Sequence, residues 1–154
     1  MGSFTQLNYH VVFATKCRRR TIAKANQPLL FNYISGIASG FSGVLDSSGG
    51  VEDHVHLLVN IPAKLAVSDA IRSIKSNSSR WLNEQAWNAD DFEWQKGYGA
   101  FTVSYSQMDR VRAYIANQET HHQKLSFQQV YISLLKKHNI DFELTYLFED
   151  EHHG

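Results

Sequence analysis

The chain has 154 residues, of which 43% are hydrophobic and 19% are charged, and its formal net charge is zero. These values indicate a globular chain with one sizeable core, so we predict a single domain over residues 1–154. They exclude a disordered chain or a general polyanion binder. No apolar run approaches the roughly 20 residues of a membrane span, and the first ten residues lack signal-peptide features. With Cys17 as the single cysteine, we expect a bacterial cytoplasmic protein without disulfides.

The predicted elements alternate between strands and helices along the chain. Strands are recognised by apolar residues at every second position, and helices by apolar residues three and four apart. We predict strands at 7–15, 41–45, 55–61 and 92–104, a turn at 46–50, and helices at 28–38, 67–87, 107–123 and 127–138. This βαββαβ order is typical of a ferredoxin-like α+β fold with an antiparallel sheet. Helices cover one sheet face, and the helix after the last strand is expected to cover the other.

Two histidines interrupt the third predicted strand, in the stretch VEDHVHLLVNIP at 51–62. Because strand side chains alternate, His54 and His56 point to one face, and Val55 and Leu57 to the other. Two neighbouring imidazoles fit a pair of metal ligands, but they equally fit two hydrogen-bonded structural histidines.

A tyrosine and a glutamine lie four residues apart in the helix predicted at 107–123. Tyr114 and Gln118 therefore share one side of that helix. The simplest interpretation is an amphipathic helix whose tyrosine packs with its hydroxyl at the surface. Opposite two strand histidines, the same pair would offer a phenolic nucleophile and an amide oxygen ligand.

Basic residues are concentrated in one segment of this neutral chain. Between Lys16 and Lys24 there are five basic residues and no acidic one, a pattern that fits either phosphate binding or a solvated loop. If the chain binds nucleic acid, our first candidates for phosphate contacts come from this segment and the next from the long helix: Arg18, Arg19, Arg20, Arg72, Lys75 and Arg80.

Taken in order, several segments resemble a known family. They are YHVVFATKCRRR, DHVHLLV, SSRWLN, WQKGYGAFTVS, VRAYIANQETHH and KKHNIDF. Together they resemble the single-tyrosine HUH transposases of bacterial insertion sequences, including the repeat-associated tyrosine transposases. HUH denotes histidine, hydrophobic residue, histidine, which here is His54-Val55-His56. The chain departs from the common family pattern at Cys17 and Glu52, where an aromatic residue and a proline are frequent.

The resemblance implies an HUH endonuclease core followed by a tyrosine-bearing helix. It implies that Tyr114 attacks a backbone phosphate of single-stranded DNA, forming a 5′-phosphotyrosine link that later allows rejoining. The implied metal ligands are His54, His56 and Gln118, and we expect Mg²⁺ or Mn²⁺ as cofactor. The implied DNA partner carries hairpins near the ends of the element.

The resemblance implies a tyrosine helix exchanged between two chains in transposases proper, and one folded back on its own sheet in monomeric repeat-associated relatives. We predict a homodimer with shared sites, in which one chain supplies His54 and His56 and the other supplies Tyr114. Two other functions remain open from the residues. One is a metal-dependent hydrolase that activates water, and the other is a domesticated or regulatory relative that binds hairpin DNA without cutting it.

Overall fold

A four-stranded antiparallel sheet forms the centre of the computed structural model, which describes residues 1–88, 90–118, 120 and 125–148. The strands are β1 (Asn8–Ala14), β2 (Val44–Val51), β3 (His54–Asn60) and β4 (Gly99–Val103). Their spatial order is β2-β3-β1-β4, and every neighbouring pair is antiparallel. The predicted ferredoxin-like α+β fold is confirmed.

Helices cover both faces of the sheet. In chain order they are α1 (Gln27–Gly40), α2 (Val67–Glu84), α3 (Met108–Ala116), α4 (Phe127–Lys137) and α5 (Leu144–Leu147). Pro28 lies in the first turn of α1, where its missing N–H costs no hydrogen bond. At the start of α4, Ser126 and Gln129 form a capping box that satisfies two backbone N–H groups. Within the described residues, no helix is long and apolar enough to cross a membrane.

The main core lies between the sheet and the α1–α2 layer. Alternate strand residues such as Val11, Phe13 and Leu57 pack there against apolar side chains of α1 and α2. On the other face, α4 packs against Val12 and its neighbours, and α3 packs against Leu58 and Val103. The helix after the last strand thus covers this second face, as predicted.

Two strand boundaries differ from the prediction. The segment 46–50 is not a turn but part of β2, with a register shift between Leu45 and Ser47. Its glycine at position 49 permits close approach of α3, because a Cβ there would lie 2.4 Å from the carbonyl oxygen of Ile115. The segment 92–104 forms a strand only from Gly99 onward, apart from one bridge between Thr15 and Trp94.

We expect Gly49→Ala to destabilise the protein and to displace the helix that carries Tyr114. The added methyl group would collide with α3 backbone, so the free energy of unfolding should fall by about 1–3 kcal/mol, as measured by urea denaturation. Gly36→Ala is the matched control, because nothing lies within 4 Å of a Cβ there in α1. That variant should gain about 0.5–1 kcal/mol, so equal stability of the two variants would contradict the close approach.

Candidate active site

Strand β3 aims both histidines at the sheet face that α3 and α4 cover. His54 and His56 are fully buried, and their ring centroids lie 5.1 Å apart. Val55, Leu57 and Val59 point into the core on the opposite face. The predicted alternation of β3 is therefore confirmed, and the two imidazoles share one enclosed site.

Asp53 orients the His54 ring. Its Oδ1 lies 2.7 Å from His54 Nδ1, at the turn that joins β2 to β3. An ionised carboxylate accepts a hydrogen bond, so Nδ1 carries the proton in neutral His54. Nε2 then holds the lone pair that a metal ion requires.

His10 of β1 contacts the second histidine. His10 Nε2 lies 2.9 Å from His56 Nδ1, and both side chains are buried. Burial lowers the pKa of His10 to about 4, with smaller contributions from His138 and Lys137. His10 is therefore neutral at pH 7 and accepts a hydrogen bond from His56 when its own proton lies on Nδ1. This tautomer leaves Nε2 of His56 as the ligand atom.

Gln118 offers a third donor atom. Its side chain is 1% exposed, and its Nε2 donates to the backbone carbonyl of Tyr114 at 3.2 Å. Its Oε1 is buried and accepts no hydrogen bond from any residue that the structure describes, an arrangement that costs free energy unless another partner is bound. Two imidazole nitrogens and one amide oxygen fit a divalent cation. Across the described ranges, no cluster of three or more His, Cys, Asp or Glu residues could hold a metal ion.

Tyr114 lies beside His56 and His10. Its ring centroid is 5.7 Å from that of His56 and 5.8 Å from that of His10, both edge-on. Burial raises the pKa of the Tyr114 phenol, and a hydrogen bond with the Gln118 side chain acts in the opposite direction. The phenol is therefore protonated at neutral pH, and its activation requires a nearby positive charge.

An ion pair holds the tyrosine helix on its own sheet. Arg112 of α3 donates to both carboxylate oxygens of Asp46 in β2 at 2.8 Å and to Asp109 at 2.7 Å. The Arg112 hydrogen bond lowers the pKa of Asp46. Within this chain Tyr114 lies beside His56, and the predicted exchange of the tyrosine helix between two chains stays a prediction. The homodimer itself stays a prediction.

The predicted DNA contacts fall into two groups. Arg19 and Arg20 are exposed and Arg18 is half-buried, on a loop where Cys17 and Arg18 adopt left-handed φ angles of 55° and 52°. Arg72 is exposed and pairs with Asp69, and Arg80 contacts Asn77 on the same helix. The DNA contacts of these five arginines stay predictions.

Lys75 has a different environment from the one we predicted. Its ammonium donates to the backbone carbonyls of Gln95 and Gly97 at 2.7 and 2.8 Å. Burial lowers its pKa to about 8. These bonds anchor residues 95–97, which lie between the Thr15–Trp94 bridge and the start of β4 at Gly99. These bonds engage two of the three ammonium N–H groups, and the DNA contact of Lys75 stays a prediction.

Sequence reasoning missed two residues of the site. Asp53 directly precedes His54, and this adjacency was a usable signal. His10 lies 46 positions before its partner His56, and only the pairing of β1 with β3 brings the two rings together. His121 and His122, which follow Gln118 closely in the sequence, lie outside the described residues.

A buried histidine pair on an antiparallel sheet, with a helical tyrosine beside it, is the arrangement that the resemblance to HUH transposases implies. The family model described as "Transposase IS200 like" matches residues 3–118. The chain therefore belongs to the IS200-like transposase family.

Two transposases from bacteria are similar to this chain in sequence. The chain is 26% identical over 124 residues to the ISDra2 transposase TnpA of Deinococcus radiodurans, covering 76% of this chain and 87% of the relative. It is 28% identical over 116 residues to the transposase of insertion sequence IS200 from Salmonella typhimurium, covering 71% and 75%.

Solved structures agree on the fold. A crystal structure of a Deinococcus radiodurans R1 protein assigned as a transposase superposes with a TM-score of 0.58 at 26% identity, covering 77% of this chain and 95% of that one. A REP-associated tyrosine transposase bound to a REP hairpin superposes with a TM-score of 0.61, covering 81% and 76%. The second is only 13% identical, so its likeness supports the fold alone.

Proposed function

We propose that this transposase cleaves and rejoins single-stranded DNA through a covalent bond to Tyr114, with a divalent metal held by His54, His56 and Gln118. The observation that carries the proposal is the position of Tyr114, whose ring lies edge-on against His56. Gln118, four residues later, hydrogen-bonds to the Tyr114 backbone carbonyl. The adjacency of this phenol to His56, a candidate metal ligand, supports the proposal.

The chain's own residues prepare both halves of this reaction. Asp53 and His10 hold the two imidazoles so that each Nε2 faces away from its hydrogen-bond partner. A bound divalent ion would withdraw charge from the phosphate and favour the phenolate. The phenolic oxygen of Tyr114 then forms a bond to phosphorus, and the bond from phosphorus to the 3′ oxygen breaks. The phenol proton is balanced by the proton gained at the released 3′-hydroxyl.

The covalent link conserves the energy of the broken ester bond. A 3′-hydroxyl that attacks the 5′-phosphotyrosine regenerates a phosphodiester and the free phenol, so joining requires no nucleotide cofactor. The same residues therefore serve cleavage and rejoining. We propose hairpin-bearing single strands as the substrate, which fits the fold shared with the hairpin-bound relative.

The polarity of the covalent bond tests the proposal directly. Single strands from the DNA flanking the gene are labelled at either end and incubated with protein and Mg²⁺ or Mn²⁺. We expect a 3′-end label to migrate with the denatured protein and a 5′-end label to appear on a shortened, free strand. Two free fragments would instead indicate a hydrolase that uses water. Binding with no cleavage of any flanking strand would indicate a DNA-binding relative without nuclease activity.

Changing Arg18, Arg19 and Arg20 to alanine should weaken binding of the same strands and reduce its salt dependence. Each phosphate contact to single-stranded DNA contributes a slope of about 0.7 in a plot of log affinity against log salt concentration. Loss of three contacts should therefore lower the slope by about 2, measured by fluorescence anisotropy. An unchanged slope would show that this segment is a solvated loop.

A further inference from the structure

A cleft of about 420 Å³ opens beside Tyr114, between α3 and α4. Tyr114 and Val111 form its α3 side, and Leu134 and Lys137 form its α4 side. Its volume lies within the range of binding sites for small ligands. Any group that reaches the Tyr114 side chain from this direction must pass through the cleft.

The described lining of this cleft is basic and contains no acidic side chain. Arg110 and Lys137 are its two cations, and both are exposed. Neither forms an ion pair with a residue that the structure describes, whereas Arg112 is fully engaged by Asp46 and Asp109. Arg110 and Lys137 therefore have charge available for a ligand.

Neutral hydrogen-bonding groups complete the lining. Thr102 and Ser104 lie at and just beyond the end of β4, and Gln107 directly precedes α3. Hydroxyl and amide groups of this kind commonly contact phosphate oxygens alongside arginine and lysine. Cations, hydroxyl groups and a tyrosine around one opening form a phosphate-binding environment.

We propose that this cleft binds a backbone phosphate of the DNA strand next to the bond that Tyr114 attacks, with Arg110 and Lys137 as its phosphate contacts. The inference rests on the proposed function, because it assumes that a phosphodiester reaches Tyr114. The phosphates on either side of that bond follow it into the site and carry one negative charge each. A neighbouring phosphate held in the cleft would position the attacked bond at the phenol.

One of the two proposed phosphate contacts, Lys137, comes from the C-terminal part of the chain. The family match ends at residue 118, and α4 begins at Phe127. The helix that supplies Lys137 thus lies outside the matched region while packing on the sheet face that carries the histidines. One wall of the cleft therefore lies outside the region that the family model matches.

Salt dependence of binding tests the two contacts without requiring a cognate sequence. The probe is a fluorescein-labelled oligothymidylate of about 20 nucleotides, bound to Tyr114→Phe protein so that no chemistry interferes. Lys137→Gln and Arg110→Gln should each weaken binding about tenfold and lower the salt slope by about 0.7. Lys136→Gln is the matched control, because Lys136 is exposed on the same helix but does not line the cleft. Its slope should not change.

A second measurement locates the contact next to the reacting bond. In a strand that forms the Tyr114 adduct, single phosphates flanking the cleavage site are replaced by neutral methylphosphonates. At one position, the methylphosphonate should weaken binding to protein that retains Lys137. The same replacement should not weaken binding to the Lys137→Gln variant any further. With the unmodified strand, Lys137→Gln should raise the half-saturating concentration more than it lowers the saturated rate.

The possible results separate this inference from the proposed function. Equal loss in Lys136→Gln and Lys137→Gln, or an unchanged slope in the Arg110→Gln/Lys137→Gln double variant, would overturn the phosphate site. The site would also be overturned if the losses of binding free energy from Lys137→Gln and from each flanking methylphosphonate were strictly additive. If the slopes fall as expected but wild-type protein forms no adduct with any strand, the cleft binds DNA and the tyrosine mechanism is wrong.

Discussion

Tyr114→Phe is expected to eliminate the covalent protein–DNA adduct and to lower strand cleavage by about four orders of magnitude or more. The substitution removes only the phenolic oxygen. Phenylalanine retains the edge-on contacts with His56 and His10, so the fold and the histidine pair should be preserved. Denaturing gels of labelled single strands measure the adduct, and anisotropy should show hairpin binding close to that of the wild type.

Tyr105→Phe is the matched control for this experiment. Tyr105 lies in the turn before α3, and its side chain is 71% exposed, away from the histidines. We expect full adduct formation in that variant. A persistent adduct in Tyr114→Phe would instead assign the nucleophile to another tyrosine, with Tyr105 and Tyr98 as the first to examine.

Removal of the metal, or of the two histidines, is expected to abolish cleavage as completely as the tyrosine substitution. Without a divalent ion, burial keeps the Tyr114 phenol protonated and the phosphate charge repels it. Excess EDTA should stop cleavage by unmodified protein, and added Mg²⁺ or Mn²⁺ should restore it. His54→Ala/His56→Ala should additionally lose Mn²⁺ binding, measured by electron paramagnetic resonance. Undiminished cleavage in EDTA would refute the metal-assisted mechanism.

The same two inactive variants decide how many chains build one site. If Tyr114 serves the histidines of its own chain, as the Arg112–Asp46 pair favours, a mixture of Tyr114→Phe with His54→Ala/His56→Ala stays inactive. Restored adduct formation after co-refolding would show that the tyrosine helix exchanges between the chains of a homodimer. Size-exclusion chromatography with light scattering establishes in parallel whether the mixed protein is dimeric.

The fold was predictable where the pattern is local. Alternation along β3 placed His54 and His56 on one face, and the order of strands and helices was sufficient for the antiparallel sheet. The β2 boundary was not predictable in the same way, because two consecutive glycines indicate a turn equally well. The strand has a glycine at position 49 because α3 packs too closely there for a side chain. This contact is not visible locally, since α3 comes some 60 positions later in the chain.

In the candidate site, too, the local features were predictable from the sequence, and the contacts between distant segments were not. His54, His56, Tyr114 and Gln118 were proposed from spacing and from the family resemblance. The structure places His56 beside His54 and beside Tyr114, and it buries Gln118 four residues after Tyr114. The roles of all four residues stay predictions. The contact between His10 and His56 was not predictable, because strand register is not visible in a single sequence. Lys75 was placed among the surface cations, yet its burial depends on residues 95–97, which pack over it from another part of the fold.

The position of β1 also affects synthesis of the protein. β1 is made first, but it pairs with β3, where Val12 meets His56, and with β4, where His10 meets Phe101. Six of its seven residues are buried in the finished fold. During synthesis about 90 further residues must therefore be added before both edges of this strand can be hydrogen-bonded. Until then the exposed edge can pair with other chains and promote aggregation. Truncated products that end before Gly99 would leave one edge of β1 open, and we expect them to precipitate while the full chain stays in solution.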